Sequence, residues 1–203
     1  MTLATWFSFL AICCLGAMSP GPSLAVVLRH TVNNGRGHGL AASWFHAAGV
    51  GVWAMATVSG LAVVIAQSPN VYIAITWAGA AYLAWLGIKS LHAGPASALD
   101  VAKAEPASVW RAGLDGAAIS FLNPKLAIFF IALFSQFVSR DADVSDHALM
   151  VATATLVDGL WYTLVAVVLS HGPILGRLQR HSQLINRLTG GVLILLALRV
   201  VTL

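Results

Sequence analysis

The chain alternates between long apolar stretches and short polar connections. The apolar stretches number six, and they run over residues 5–28, 40–66, 71–91, 113–138, 148–170 and 188–203. Because a helix needs roughly 20 mostly apolar residues to cross the core of a bilayer, each stretch is close to the length of one membrane span. The pattern predicts an all-α integral membrane protein with six transmembrane helices, of which the last stretch is the shortest candidate.

Composition supports this class and leaves no room for a separate soluble domain. Hydrophobic residues make up 59% of the 203 positions and charged residues make up 9%, whereas a soluble domain carries roughly 25% charged residues. The whole chain, residues 1–203, is therefore predicted to be one membrane domain whose main partner is the lipid bilayer.

A polar segment divides the six spans into two equal groups. Residues 94–112 are rich in Pro, Ala and Ser and indicate a linker, with three spans before it and three after it. Since three is an odd number, the two groups enter the membrane from opposite sides, which is the arrangement of an inverted repeat. We predict one repeat over residues 5–93 and a second over residues 113–203.

Basic residues are concentrated in three of the five connections. The first, third and fifth connections hold eight of the eleven Lys and Arg residues: Arg29, Arg36, Lys89, Lys103, Arg111, Arg177, Arg180 and Arg187. The positive-inside rule then assigns these connections and the linker to the cytoplasm, and both termini to the outer side. This orientation, with contact to anionic lipid, explains the net charge of +4, so no nucleic-acid partner is predicted.

Two spans contain helix-start signals deep inside the membrane. SPGP at 19–22 interrupts the first span and NPK at 123–125 interrupts the fourth. A Ser or Asn side chain can cap a helix and proline suits the first helical position, so we expect the helices to restart at Pro20 and Pro124. Each span would then consist of two half-helices. The alternative is a simple kink at each proline, which transmembrane helices tolerate.

The predicted half-helix starts need a partner, because lipid cannot satisfy free amides. They must therefore face protein or a wet cavity, where their N–H groups and positive dipole ends suit an anion such as a carboxylate. Paired interruptions in equivalent spans of two repeats indicate the binding site of a transporter. The predicted substrate-binding residues at the breaks are Ser19, Pro20, Gly21, Pro22, Asn123, Pro124 and Lys125.

Charged and aromatic side chains at mid-depth complete the predicted site. Lys125 and Asp158 would each cost several kcal/mol if they faced lipid unpaired, so we expect both to face inward. Lys125 would bind a substrate carboxylate and Asp158 a substrate ammonium or a transported proton; a purely structural pair of the two is the alternative. Trp161 and Tyr162 follow Asp158 by three and four residues and share its helix face, so we expect them to line the same cavity; aromatic side chains that face lipid are the alternative. His46 is either a second proton carrier or a hydrogen-bonded packing residue.

The sequence contains no pattern typical of an enzyme or a metal site. Cys13 and Cys14 are adjacent on an apolar helix, which gives no spaced pair of ligands. Neither an H-E-x-x-H motif nor a recognisable spacing of a nucleophile and a base is present. We predict no catalytic residues, no metal and no cofactor.

Four segments resemble the LysE/RhtB-type family of bacterial amino-acid exporters: SPGP, WAGAAYLAWLGIK, FLNPKLAIFFIALFSQFV and VDGLWYTLVA. The resemblance covers essentially the whole chain. The family's motif positions fall on Pro20, Gly21, Pro22, Asn123, Pro124, Lys125 and Asp158. The resemblance implies export of amino acids such as homoserine, threonine, lysine or arginine, driven by the membrane potential or a proton gradient. Some relatives that export basic amino acids carry an acid in the second span, where this chain has His46, so a neutral substrate is favoured.

The residues and the resemblance together predict a secondary active exporter of small neutral amino acids, of the homoserine or threonine type, in the bacterial inner membrane. Proton coupling would run through Asp158, with His46 as the second candidate. The alternatives are an exporter of basic amino acids or of another small solute, a passive channel and a membrane assembly subunit. A homodimer is compatible with the sequence.

Overall fold

The computed structural model describes residues 1–93, 106–139, 142–169 and 173–199. Within these ranges the chain forms eight helices and no strand. The helices are α1 (Leu3–Met18), α2 (Pro22–Asn34), α3 (Arg36–Gln67), α4 (Pro69–Leu91), α5 (Val109–Leu122), α6 (Pro124–Phe134), α7 (Val144–Leu169) and α8 (Pro173–Arg199). The all-α class predicted from the sequence is confirmed.

The membrane spans follow from the length and apolar character of these helices. Helices α3, α4 and α7 are each long and apolar enough to cross a bilayer, and α1–α2 and α5–α6 form two bent pairs that meet the same test together. That gives up to five spans among the described residues. The sixth predicted span falls in α8, whose apolar part, Gln183–Leu198, is shorter than a full span, so the sixth crossing stays a prediction.

Some sequence predictions fall on positions that the structure does not cover. Residues 94–105 of the predicted linker, residue 170 of the fifth stretch and residues 200–203 of the sixth lie outside the described residues. The first helix after the predicted linker, α5, begins at Val109, where Ser108 caps it by accepting a hydrogen bond from the Arg111 N–H at 3.2 Å.

Contacts between helix ends define two sides of the molecule. On the side that we call the linker side, α2 ends beside the start of α5, where Asn34 Oδ1 accepts a hydrogen bond from the Ala107 N–H at 3.1 Å. On the opposite side, where α1 begins and which we call the terminal side, α4 begins beside the end of α6. There the Tyr72 hydroxyl lies 2.8 Å from the Ser135 carbonyl oxygen and 2.6 Å from that of Val138.

The long helices pack closely through glycine. Helix α3 packs along α5 and α7, and α4 packs along α8. At Gly116 on α5, a Cβ atom would lie only 2.2 Å from the Ala42 carbonyl oxygen of α3. Gly87 and Gly190 make a reciprocal contact, since a Cβ on either would lie within 2.8 Å of the other's carbonyl oxygen. Small residues permit such backbone approach in a membrane, where packing rather than water drives helix association.

An aromatic cluster fills the core on the terminal side. Phe9 of α1 and Phe134 of α6 are fully buried, and their ring centroids lie 5.4 Å apart with the rings edge to face. Phe137 lies 5.3 Å from Phe9, and Phe130 lies 5.6 Å from Phe134. Edge-to-face contacts of this kind add to the dispersion energy of the packed rings. The cluster joins the first half-helix of the chain to the half-helix after the second break.

Candidate functional site

The first break separates α1 from α2 by a bend of 59°. Ser19 ends α1 as its C-cap, with its backbone N–H donating to the carbonyls of Leu15 and Gly16. Helix α2 begins at Pro22, and the N-cap is Gly21, which has no side chain to cap the helix. The prediction that Ser19 caps a helix beginning at Pro20 is therefore wrong by two residues. Both prolines can occupy a first helical position, and the structure uses the second.

The second break separates α5 from α6 by a bend of the same size, 59°. Asn123 is the N-cap of α6, and its Oδ1 accepts a hydrogen bond from the Lys125 N–H at 3.1 Å. Pro124 occupies the first helical position. The predicted cap and restart are both confirmed here, and the simple-kink alternative is excluded for both spans because each contains two helices with distinct ends.

Both breaks line one cavity of about 610 Å³. Side chains of α3, α4, α7 and α8 complete its walls. All but one of the predicted site residues belong to the lining of this cavity: Ser19, Pro20, Gly21, Pro22, His46, Asn123, Pro124, Lys125, Asp158 and Tyr162. Sequence positions from both halves of the chain therefore converge on one space.

Trp161 is the predicted site residue that does not line this cavity. It packs against a separate core cluster that includes Leu24, Leu28 and Val165. Its indole Nε1 is buried and makes no hydrogen bond among the described residues. The expectation that Trp161 and Tyr162 line the same cavity holds only for Tyr162, because adjacent residues on α7 point about 100° apart around the helix axis.

The most buried polar group in the cavity is His46, which bridges two halves of the molecule. Its Nδ1 lies 2.8 Å from Asp158 Oδ2, and its Nε2 lies 2.8 Å from Ser23 Oγ. The imidazole is 1% exposed, and Asp158 is 8% exposed. With Nδ1 protonated and facing the carboxylate, Nε2 accepts the hydrogen bond of the Ser23 hydroxyl. The three side chains form a continuous hydrogen-bonded chain from α7 through α3 to the first turn of α2.

Tyr162 closes one side of this chain. Its ring lies edge to face against the imidazole of His46, with centroids 5.2 Å apart, and its side chain also interacts with that of Ser23. Ser23 was not predicted as a site residue. Its position one residue after SPGP, in the first turn of the half-helix, is the sequence signal that could have identified it.

Lys125 and Asp158 do not form the structural pair considered from the sequence. Asp158 pairs with His46 instead. Lys125 is half-buried at the start of α6, and no acidic group among the described residues lies within ion-pairing distance of it. The second carboxylate oxygen of Asp158, Oδ1, also has no hydrogen-bond partner in the part of the chain that the structure describes. An ammonium and a carboxylate oxygen are thus both available to a ligand.

A second polar cluster lies apart from this cavity, on the linker side. Asp115 of α5 accepts hydrogen bonds through Oδ2 from Arg29 Nη2 at 2.8 Å, and His30 Nε2 lies 3.0 Å from the same oxygen. Arg111 Nε lies 3.3 Å from Oδ1. These contacts join α2 to α5 through hydrogen bonds and ion pairs. It could not be predicted from the sequence, because Arg29 and Asp115 are 86 residues apart.

The cavity reaches the linker side and is blocked on the terminal side. Lys89, Ser90 and Ala93, at the end of α4, belong to its lining. In the opposite direction, the packed rings of Phe9 and Phe134 fill the space beyond the breaks. A solute could therefore enter from the linker side and could not leave past the aromatic cluster without a change of conformation.

Comparison with known proteins identifies a family and several efflux proteins. A family model described as LysE type translocator matches residues 14–203. The chain is 29% identical to the homoserine/homoserine lactone efflux protein of Salmonella typhimurium, over 78% of this chain and 77% of that protein. It is 29% identical to the threonine efflux protein of Salmonella typhi, over 81% of each, and 32% identical to the leucine efflux protein of Klebsiella pneumoniae, over 68% of this chain and 65% of that protein. No solved structure matches the chain.

Proposed function

The chain belongs to the LysE family of translocators, and from this membership we propose that it is a proton-coupled secondary exporter of neutral amino acids in the bacterial inner membrane. It is a multi-pass membrane protein, and relatives with named activities are efflux proteins for homoserine, threonine and leucine. The site supports the finer parts of the proposal, which are the mode of binding, the coupling group and the conformational cycle.

The observation that carries the proposal is that both helix breaks, Lys125 and Asp158 face one cavity. Lys125 at the start of α6 suits a carboxylate, since its ammonium and the positive dipole end of the half-helix act on it together. Asp158 Oδ1 suits an ammonium. A zwitterionic amino acid satisfies both groups at once, which a simple anion or cation does not.

The His46–Asp158 contact supports proton coupling. Histidine is the side chain whose charge changes most readily near neutral pH, and here its imidazole is hydrogen-bonded to the acid predicted as the coupling group. A proton reaching His46 would weaken the hold of Asp158 on a bound ammonium, because the carboxylate would then be neutralised by the imidazolium. Binding of cargo and binding of the proton would therefore oppose each other, as an antiporter requires.

The pattern of helix contacts supports alternating access by two inverted halves. On the terminal side α1 touches α8 and α6 touches α4. If the halves are inverted repeats, the equivalent pairs on the linker side are α5 with α4 and α2 with α8, and neither pair is in contact within the described ranges. Exchanging these two sets of contacts would close the linker side and open the terminal side.

The proposal is tested by uptake of labelled L-threonine, L-homoserine, L-leucine and L-lysine into inverted membrane vesicles. We expect accumulation of at least one neutral amino acid above its outside concentration, and loss of that accumulation when a protonophore is added. Vesicles without the protein are the control. Equilibration without accumulation would indicate a channel, and no flux of any of the four would contradict an amino-acid exporter.

The geometry of Ser23, His46 and Asp158 is also that of a serine hydrolase triad, which sequence spacing did not reveal. Family membership favours translocation, so we propose that the chain moves protons and cleaves nothing. A fluorophosphonate probe tests this choice because it labels activated serines. We expect no labelling, whereas labelling that disappears in Ser23→Ala would establish a hydrolase site.

A further inference from the structure

The cavity contains a second ammonium group beside that of Lys125. Lys89 lies in the last turn of α4 and lines the cavity where it reaches the linker side. Its Nζ lies 5.1 Å from the ring centroid of Trp85, which also belongs to the lining. The aromatic face holds the end of a long, flexible side chain at the cavity wall.

The charges of this cavity do not balance. Lys89 and Lys125 line the same cavity, and neither has an acidic partner within 4 Å in the described part of the chain. Asp158 is the one acidic residue of the lining among the described residues, so two ammonium groups face one carboxylate. Two like charges that share a half-enclosed space repel each other, and an anion bound between them removes that repulsion.

We propose that Lys89 binds the carboxylate of the transported amino acid together with Lys125, and that this pair of lysines excludes amino acids with a cationic side chain. The inference rests on the proposed function and names the substrate class of the same site. A dibasic amino acid would bring a side-chain cation in addition to its α-ammonium into a cavity lined, among the described residues, by two lysines and one carboxylate, so the repulsion would select against it. Neutral amino acids carry no such penalty.

The test compares Lys89→Gln with wild type in inverted vesicles, using labelled L-leucine and L-threonine as probes and L-leucinamide as a competitor that lacks a carboxylate. We expect KM for the amino acids to rise about fivefold, as for the loss of one charge contact near 1 kcal/mol, with kcat unchanged. Inhibition by L-leucinamide should not weaken. Lys89→Arg, which keeps the charge, should restore KM.

Two further variants sharpen the test. Arg36→Gln is the matched control, because Arg36 is an exposed cation on the linker side that does not belong to the lining of this cavity, and the KM of this variant should equal that of wild type. Lys89→Glu should admit labelled L-lysine. The melting temperatures of the purified variants, measured with and without L-leucine or L-leucinamide, repeat this comparison. Because they report binding alone, they do not require translocation.

An unchanged KM in Lys89→Gln, or equal weakening of L-leucine and L-leucinamide, would overturn the role of Lys89 in carboxylate binding. Exclusion of L-lysine by Lys89→Glu would overturn its role in selectivity. These outcomes differ from failure of the proposed function, in which wild-type protein itself would move neither L-leucine nor L-threonine.

Discussion

Asp158→Asn separates the coupling role of this residue from its structural role. The carboxylate is 8% exposed, and its Oδ2 lies 2.8 Å from Nδ1 of His46. Asparagine has nearly the same size and keeps an oxygen that accepts the His46 N–H. A hydrogen bond to a charged acceptor contributes about 1.5–3 kcal/mol and a neutral one about 0.5–1.5 kcal/mol, so the free energy of unfolding should fall by only about 1 kcal/mol.

Transport should respond far more strongly than stability to this substitution. The amide neither takes up a proton nor carries the charge that binds an ammonium, so accumulation driven by a proton gradient should fall to background. The assay is uptake of labelled L-threonine or L-leucine into inverted vesicles with an imposed pH gradient. The amount of inserted protein, measured in the same vesicles, should match that of wild type.

Asp158→Ala is the matched comparison for the structural role. It leaves Nδ1 of the 1% exposed His46 without a partner, which should cost about 3 kcal/mol and lower the melting temperature well below that of Asp158→Asn. The reasoning is refuted if Asp158→Asn accumulates amino acids as wild type does, or if the two variants are equally destabilised.

Three further predictions concern the helix breaks and the helix packing. Gly116→Ala should lower the free energy of unfolding by about 3 kcal/mol, because the new Cβ would lie 2.2 Å from a backbone carbonyl oxygen. Gly60→Ala is the control in thermal unfolding. It should be neutral or slightly stabilising, because the space at that position is open. Asn123→Ala should lower the free energy of unfolding by about 1 kcal/mol through loss of the α6 cap. Ser19→Ala should leave it unchanged, since Ser19 caps α1 through its backbone. Equal melting temperatures of the two variants would contradict this difference in capping. Tyr72→Phe should destabilise the closed terminal side by about 1 kcal/mol, because the hydroxyl hydrogen bonds are lost. We expect a larger leak of labelled amino acid in the presence of a protonophore. An unchanged leak would show that the Tyr72 contact does not hold the terminal side closed.

The sequence determined the features that depend on neighbouring residues alone. Stretches of about 20 apolar residues in a chain with so few charges indicate membrane helices, and the all-α class followed. The second break was predicted to the residue, because Asn-Pro provides a cap and a first helical position side by side. The first break was misplaced because SPGP offers two prolines, and the capping side chain of Ser19 favoured Pro20 over Pro22.

Tertiary structure alone decided which of the buried polar groups meet. The sequence suggested Lys125 as the structural partner of Asp158 and gave no signal that His46 would be its partner. The close packing of α3 along α7 brings His46 to Asp158 across 112 residues of sequence, and Lys125 lines the same cavity without pairing with Asp158. The residues at which two long helices touch are set by many small contacts along both, including glycines that admit a neighbouring backbone.

The packing of distant helices also explains which site residues could not be identified from the sequence. Lys89 was interpreted as a basic residue at a span end. Only the approach of α4 to α8 through Gly87 and Gly190 brings the last turn of α4, and Lys89 with it, to the cavity. Local chemistry thus fixed where the helices break and which groups are costly in lipid. The packing of distant helices decided which of those groups share one space, because a buried charge is satisfied by whatever the fold brings next to it and not by its neighbours in the chain.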